Sequence, residues 1–173
     1  MKEIRYQGKY ITTNEEVIDS HTYERTELIP NVHVLPTRDN KILFMNEFRR
    51  HEKGSRWKLV SGWCDKDGVS PVDHAKEELA EEVNMQADHW EELFYANVPN
   101  ATVNLNTHYF LCTDISDLEI NVPNPDIGSE VLEYDWFDYD QIFELLNEQK
   151  MWPGASTMIA VWYLYNLQNK KSL

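Results

Sequence analysis

The chain has 173 residues, of which 42% are hydrophobic; this suits one folded domain with a small appendage and excludes a disordered chain. Its 16 Lys and Arg against 30 Asp and Glu give a net charge of −14, which argues against a general binder of long nucleic acid, since such proteins displace phosphate counterions with cations. Two cysteines, no signal sequence and no apolar run of about 18 residues favour a reducing compartment without membrane contact, so we expect a cytoplasmic protein.

The N-terminal region is polar, with short β-type runs at residues 9–13 and 22–25. These runs predict an extended appendage over residues 1–30, ahead of the main domain over residues 31–173. The first strands of the main domain are expected at residues 32–35, before a proline, and at 41–45. Turn-forming residues lie between them, which predicts a hairpin.

The clearest predicted helix covers residues 71–85. Ser70 is a favoured N-cap residue, and Pro71 fits the first helical position. Asn84 lies where a left-handed terminating residue is needed, a conformation that Asn tolerates. One apolar stripe recurs every four residues, at Ala75, Leu79 and Val83.

The rest of the chain predicts more strands and two further helices. Strands are expected at residues 91–97, 108–113 and 130–137. Asp140 is suited to cap a helix that runs to about residue 149, and a last helix is expected over about 155–168. One side of that last helix carries Met158, Ile159, Trp162 and Tyr165. Strands in mixed order with few helices predict an α+β fold or an α/β/α sandwich.

The segment that carries chemistry runs from Gly62 through the predicted helix. On that helix Glu78 and Glu82 lie one turn apart, with Glu81 beside them, and like charges at this spacing repel. A divalent cation would turn the repulsion into coordination, and hard oxygen ligands on one face suit Mg²⁺ or Mn²⁺. A solvated acidic face explains the same spacing, so spacing alone leaves both interpretations open.

This segment resembles the Nudix box, Gly-x5-Glu-x7-Arg-Glu-U-x-Glu-Glu-x-Gly-U, where U is aliphatic. The pattern is matched at the opening Gly and over residues 78–85, with Asn84 in place of the final Gly. In the family the opening Gly supplies a backbone carbonyl to a metal and the clustered Glu supply carboxylates. The resemblance therefore implies metal ligands at Gly62, Glu78, Glu81 and Glu82. It also implies the Nudix α/β/α sandwich with a mixed β-sheet.

Two positions depart from the box. The loop before the helix is one residue longer than the pattern, so Val69 falls at the first Glu and Glu77 falls at the Arg. In the family the Arg orients the neighbouring Glu through an ion pair, which Glu77 cannot do. Asp65 or Asp67 could replace the loop carboxylate, and Lys76 or an arginine from elsewhere could replace the guanidinium. Metal binding is therefore implied more strongly than efficient hydrolysis.

A basic segment ahead of the box is similar to the ADP-ribose pyrophosphatase branch of the family. Its strand ends in Glu-Phe-Arg where that branch commonly has Gln-Tyr-Arg. The segment 47–58 carries a net charge of +3, which could neutralise a diphosphate. Arg49 is the favoured substrate-binding candidate and Arg50 a further one. Trp63, next to the opening Gly, could stack on a base, although such aromatic residues more often serve packing.

A second similarity to that branch lies at residues 128–134. In the branch an acidic loop before this strand often supplies a catalytic carboxylate from outside the box. Glu130 is the candidate for this role, with a water-facing Glu at a strand edge as the equally weighted alternative. The catalytic candidates implied by the resemblance are thus Glu78, Glu82 and Glu130.

The resemblance implies metal-dependent hydrolysis of a nucleoside diphosphate linked to another moiety, such as ADP-ribose or a nucleotide sugar. The metals would polarise the phosphoryl oxygens and activate a water, and a carboxylate would take its proton. The alternative suggested by Val69 and Glu77 is a weak or inactive Nudix domain that binds a nucleotide or a protein partner. A third hypothesis is an acidic adaptor without ligand chemistry. Residues 1–30 could also form a homodimer, as N-terminal extensions in this branch often do.

Overall fold

A computed structural model of the chain describes residues 2–99, 102–120, 122 and 129–170. The described residues form ten strands and three helices. The strands are β1 (Lys2–Gln7), β2 (Ile11–Ile18), β3 (His21–Leu28), β4 (Asn31–Arg38), β5 (Lys41–Arg49), β6 (Gly54–Lys58), β7 (Val60–Trp63), β8 (Met85–Pro99), β9 (Val103–Asp117) and β10 (Ser129–Phe137). The helices are α1 (Pro71–Val83), α2 (Tyr139–Asn147) and α3 (Ala155–Lys170).

The strands form one mixed sheet in the order β1-β2-β3-β9-β4-β5-β10. Off this path, β6 pairs with β5, β7 with β4, and β8 with β9. Most neighbours are antiparallel, whereas β9 runs parallel to both β3 and β4. The sheet is therefore mixed, as the sequence predicts.

The hairpin predicted at the start of the main domain is formed by β4 and β5. Its turn holds Asp39 at φ 53° and Asn40 at φ 59°. This left-handed region is one that Asp and Asn adopt at low cost, and two such residues match the twist of a two-residue hairpin. β4 is longer than predicted, because Pro36 lies in register with Cys112 on the parallel neighbour β9 instead of ending the strand.

The sheet separates two hydrophobic cores, because successive strand residues point to opposite faces. On β5, Leu43 and Met45 pack in the core that contains α1 residues. Ile42 and Phe44 pack in the other core, which contains residues of α2 and α3. Helices on both faces of a mixed sheet confirm the α/β/α sandwich.

The helix ends follow the predicted capping in α1 but not in α2. Ser70 caps α1, and Asn84 ends it at φ 55° and ψ 41°. The predicted cap of α2 at Asp140 is wrong. Asp138 is the N-cap, because its side chain accepts from the Gln141 N–H while the Gln141 side chain accepts in return from the Asp138 N–H. This reciprocal arrangement satisfies two donors that a cap two residues later would leave open.

The predicted apolar side of α3 faces outward for three of its four residues. Met158, Trp162 and Tyr165 are exposed, whereas Ile159 packs against a core. The helix is anchored through its opposite side, where Ala160, Val161 and Leu164 are buried. Across the described residues, no helix combines the length and the apolar character needed to cross a membrane.

The N-terminal region forms strands, as its β-type runs indicate. β1, β2 and β3 pair antiparallel in sequence order. β3 joins the main sheet through two parallel residue pairs with β9, Thr26 with Val103 and Glu27 with Asn104. The turn between β1 and β2 carries Lys9 and Tyr10 to the cavity described below.

Candidate functional site

A cavity of about 780 Å³ gathers most of the residues that the sequence singles out. Its walls come from the β1–β2 turn, from β4 to β7, from α1 and from the start of α3. The predicted site residues among its lining are Arg49, Gly62, Trp63, Glu78, Glu81 and Glu82. Box residues that the sequence places on a strand end and on a helix therefore meet at one place in the fold.

The end of β7 and the middle of α1 form the acidic wall of the cavity. Glu82 has only 8% of its side chain exposed, and its Oε2 accepts a 3.1 Å hydrogen bond from the Ser61 N–H. The Glu78 carboxylate lies against the Cα of Gly62, where a Cβ would overlap it. A glycine is therefore required at residue 62 by this close approach of a carboxylate to the backbone.

Burial of these carboxylates disfavours their charged forms. Burial, with the Glu81 charge adding to it, raises the pKa of Glu78 to about 7. Burial raises the pKa of Glu82 to about 8, although the Lys58 ammonium acts in the opposite direction. Two neighbouring carboxylates with little access to water are unfavourable in their charged forms, and a bound cation would stabilise both charged forms.

A buried carboxylate on β5, Glu47, lies beside the box glutamates and pairs with two cations. The sequence analysis did not predict it as a site residue. Glu47 on β5 is 5% exposed and accepts from Arg49 Nε at 2.7 Å. Lys58 Nζ lies 3.4 Å from Glu47 Oε2 and 4.0 Å from Glu82 Oε1. The signal available in the sequence was the placement of Lys58 four residues before Gly62, at the end of the basic segment.

The residues near the two departures from the box form ion pairs with one another at exposed positions. Glu77 Oε2 pairs with Lys66 Nζ at 2.7 Å, and Lys76 Nζ pairs with Asp73 Oδ1 at 3.1 Å. Lys76 is thus engaged with Asp73 and does not line the cavity. Of the two proposed loop carboxylates, Asp65 lines the cavity, where Lys9 binds it at 2.8 Å.

Aromatic residues of the site have different surroundings. Trp63 stacks on Tyr10 with a centroid distance of 5.6 Å, and both line the cavity. Trp57 instead contacts Phe137 edge-on at 4.8 Å and packs against a core. The Trp63–Tyr10 pair presents an aromatic wall to any ligand at that end of the cavity.

Two histidines and an asparagine also line the cavity and were not predicted as site residues from the sequence. Burial lowers the pKa of His33 to about 3, so its imidazole is neutral at physiological pH. It stacks on Tyr109 and lies 3.3 Å from the Asn31 amide nitrogen. His74 on α1 is 2% exposed, and its Nε2 has no hydrogen-bond partner among the described residues. These three residues lie on β4 and α1, far apart in the sequence, so only the folded structure shows that they share one cavity.

Two predicted site residues lie outside the residues that line this cavity. Arg50 is exposed in the turn after β5. Glu130 is exposed on β10, opposite Phe48. The loop that the resemblance associates with Glu130 includes residues 123–128, which fall outside the described part of the chain. The catalytic role of Glu130 and the binding role of Arg50 stay predictions.

The acidic wall has the donor chemistry of a magnesium or manganese site. In the described parts of the chain, no three His, Cys, Asp or Glu side chains converge as a complete metal-binding group. Carboxylates that leave coordination positions open suit an ion that keeps waters and shares its shell with substrate phosphates. The donor types, the burial of Glu78 and Glu82 and the close approach at Gly62 therefore fit such an ion.

The chain is similar to known proteins both in its sequence pattern and in its fold. The family model described as NUDIX domain matches residues 27–161. A solved structure titled "Crystal structure of ADP compounds hydrolase" superposes with a TM-score of 0.74, over 99% of this chain and 93% of that chain, at 16% sequence identity. No curated protein matches the sequence of this chain. The family model covers the whole acidic wall, and the structural match shows the same fold.

Proposed function

The chain belongs to the NUDIX family, and on that premise we propose that it hydrolyses the pyrophosphate bond of a nucleoside diphosphate linked to another moiety. Its family and fold are those of a Nudix-type pyrophosphohydrolase. The observation that carries the proposal is a pair of carboxylates on one wall of a large cavity, with Glu78 partly buried and only 8% of the Glu82 side chain exposed. Mg²⁺ or Mn²⁺ is the proposed cofactor, held by Gly62, Glu78, Glu81 and Glu82.

Cations around the cavity support a diphosphate compound as the substrate. Arg49 and Arg56 come from the basic segment, and Lys9 and Lys66 come from the opposite side. A guanidinium group can donate two parallel hydrogen bonds to phosphate oxygens, so Arg49 is the proposed phosphate-binding residue. The Trp63–Tyr10 wall is the proposed contact for a base. The similar structure is titled an ADP compounds hydrolase, which supports ADP-ribose or a nucleotide sugar as the substrate class.

The residues of the chain have separate roles in the proposed reaction. A metal bound by these residues would neutralise charge on the phosphate oxygens and make a water more acidic. Glu82 is held by the Ser61 N–H and fixes one wall of the site. Glu78, on the wall of the cavity, is the proposed acceptor of the proton from the attacking water, at a carboxylate oxygen. Glu130 is the alternative proton acceptor, and Glu130→Gln distinguishes the two by leaving turnover intact if Glu78 is the base.

A second candidate function is binding of a nucleotide or protein partner without turnover. Val69 and Glu77 support it, because Val69 lacks the carboxylate of the box Glu and Glu77 lacks the guanidinium of the box Arg. Under this hypothesis a nucleoside diphosphate compound raises the melting temperature, since a ligand of the native state stabilises it, yet stays intact.

The N-terminal strands support a further proposal, that two copies of the chain associate. Ile4 and Tyr6 on β1 have 58% and 56% of their surface exposed. β1 is also the outermost strand of its sheet. A homodimer would cover these side chains, as the resemblance implies for residues 1–30.

The proposed activity is tested by incubating the protein with a panel of nucleoside diphosphate derivatives, including ADP-ribose and UDP-glucose, and with Mg²⁺ or Mn²⁺. We expect a nucleoside monophosphate and the phosphorylated second moiety as products for at least one compound. Excess EDTA should stop the reaction. Intact compounds throughout, together with calorimetric binding, would replace the hydrolase by the binding domain.

A further inference from the structure

The box arginine is missing from this chain, and its position holds a carboxylate. Glu77 has 43% of its side chain exposed and pairs with Lys66. The Lys66 charge acts on Glu78, but among the described residues Lys66 does not come within 4.0 Å of the Glu82 carboxylate. Glu82 is nevertheless held in one orientation, with its Oε2 on the Ser61 N–H. Its second oxygen, Oε1, is left for another partner.

Lys58 supplies a cation to the Glu82 carboxylate from the sheet. Its Nζ lies 4.0 Å from Glu82 Oε1, the oxygen that does not accept from Ser61. The Lys58 side chain is 15% exposed, so water screens this attraction weakly. Within the part of the chain that the structure describes, no other Lys or Arg lies within 4.0 Å of the Glu82 carboxylate.

Glu47 fixes the position of the Lys58 ammonium. Glu47 is opposite Arg56 on the paired strands β5 and β6, so Lys58 is its diagonal neighbour on the same face of the sheet. The Lys58 Nζ lies 3.4 Å from Glu47 Oε2 and 3.5 Å from Oε1. A lysine is a flexible point charge, and a second buried carboxylate removes that freedom. Arg49 holds Glu47 from the other side at 2.7 Å.

We propose that the Glu47–Lys58 pair replaces the box arginine and that Lys58 positions the Glu82 carboxylate for the reaction. The proposal rests on the proposed function, because it gives Lys58 a role in the same site. Lys58 is a positioning residue, since it acts through Glu82. Neither Lys76 nor an arginine, the substitutes considered from the sequence, occupies this place.

The kinetic test compares variants in ADP-ribose hydrolysis with Mg²⁺. Loss of a residue that orients a metal ligand typically costs about 10- to 100-fold in activity, so Lys58→Met should lower kcat by that factor. KM should change by less than about threefold, because the lost interaction orients Glu82 and does not bind substrate. Lys58→Arg should restore most of kcat, since it keeps the cation. Lys76→Met is the matched control and should leave kcat unchanged.

A crystallographic test needs no activity. In metal-free Lys58→Met the Glu82 carboxylate should leave the Ser61 N–H, and in Lys58→Arg it should stay there. Glu47→Gln is a second variant in case Lys58→Met does not fold, and it should displace the Lys58 ammonium and lower kcat. An unchanged kcat in Lys58→Met, or a Glu82 carboxylate that keeps its place in that variant, would overturn the proposal. A wild-type protein without turnover would refute the proposed function, while the crystal structures would still test Lys58.

Discussion

Glu78 and Glu82 are the residues on which the account of the site depends. Glu78 is partly buried, and its carboxylate lies close against the Cα of Gly62. Glu82 has 8% of its side chain exposed and accepts a hydrogen bond from the Ser61 N–H. The cost of burying them as anions explains why burial raises the pKa of both. A solvated acidic face, the simpler interpretation of the same spacing, would leave such side chains exposed.

The close approach at Gly62 predicts that Gly62→Ala is damaging. The added Cβ would overlap the Glu78 carboxylate, so either the helix or the carboxylate must move. Overpacking of this kind costs about 1–3 kcal/mol, and we expect a lower melting temperature together with loss of turnover. Gly54→Ala is the control, since its nearest atom would be 3.9 Å away, and it should keep the wild-type melting temperature. A Gly62→Ala protein with wild-type stability and turnover would contradict this geometry.

The raised pKa of Glu82 predicts how stability depends on pH in the metal-free protein. Its ordinary value is 4.5 and burial raises it to about 8, so the folded state binds this proton more tightly than the unfolded state. The stabilisation is therefore complete below about pH 4.5 and is lost as the pH rises through about 8. In EDTA, the melting temperature of the wild type should fall between pH 5 and pH 8.5 by more than that of Glu82→Gln. Parallel curves for the two proteins would show that Glu82 does not titrate in this way.

Among the helices and strands, the sequence predicts those boundaries that neighbouring residues determine. The α1 helix was predictable because Ser70, Pro71 and Asn84 are end signals that act within a few residues. The α2 start was not, because Asp138 and Asp140 are both suitable caps and only the return hydrogen bond from Gln141 selects the first. The clustering of the box carboxylates was predictable because they lie on one helix. The contact between Glu47 and Lys58 was not, because it depends on the pairing register of β5 and β6, which the sequence leaves open.

Asn84 lies at the position of the final box Gly, yet we expect the substitution Asn84→Gly to destabilise the protein. Its φ of 55° favours Gly, but its side chain donates to the Leu118 carbonyl at 3.2 Å and accepts from the Val122 N–H at 3.1 Å. Asn84→Gly loses both bonds, so we expect a loss of about 1–2 kcal/mol in the free energy of unfolding, measured in urea. Gln149→Gly, at φ 58°, is the control and should not destabilise the protein. A variant as stable as the wild type would show that Asn84 is only a helix terminator.

At the scale of the whole molecule, the charge of −14 is unevenly distributed. Residues 114–140 contain nine Asp or Glu and no Lys or Arg, whereas residues 47–58 carry a net charge of +3. The fold places part of that basic segment on the wall of the cavity, beside the acidic wall of α1. A small anion that arrives with a divalent cation would fit both walls, and a long nucleic acid would meet the acidic remainder of the surface.

The proposed homodimer is tested at the same scale by sedimentation equilibrium. The wild type should sediment at twice the chain mass of 20.5 kDa, and Tyr6→Glu should sediment as a monomer because a buried charge disfavours the interface. Phe143→Glu, which changes an exposed aromatic residue on α2, is the control and should stay dimeric. A monomeric wild type would remove the proposal.

We propose that Glu78 and Glu82 of α1 serve the hydrolysis of a nucleoside diphosphate compound, and the turnover of glutamine variants measures this. Turnover with Mg²⁺ is measured for the wild type, for Glu82→Gln and for the matched helix variant Glu77→Gln. Glutamine keeps the shape of Glu82 but removes the charge that would hold a cation, so turnover should be abolished, while Glu77→Gln should keep it. A Glu82→Gln protein with full wild-type turnover would contradict the account.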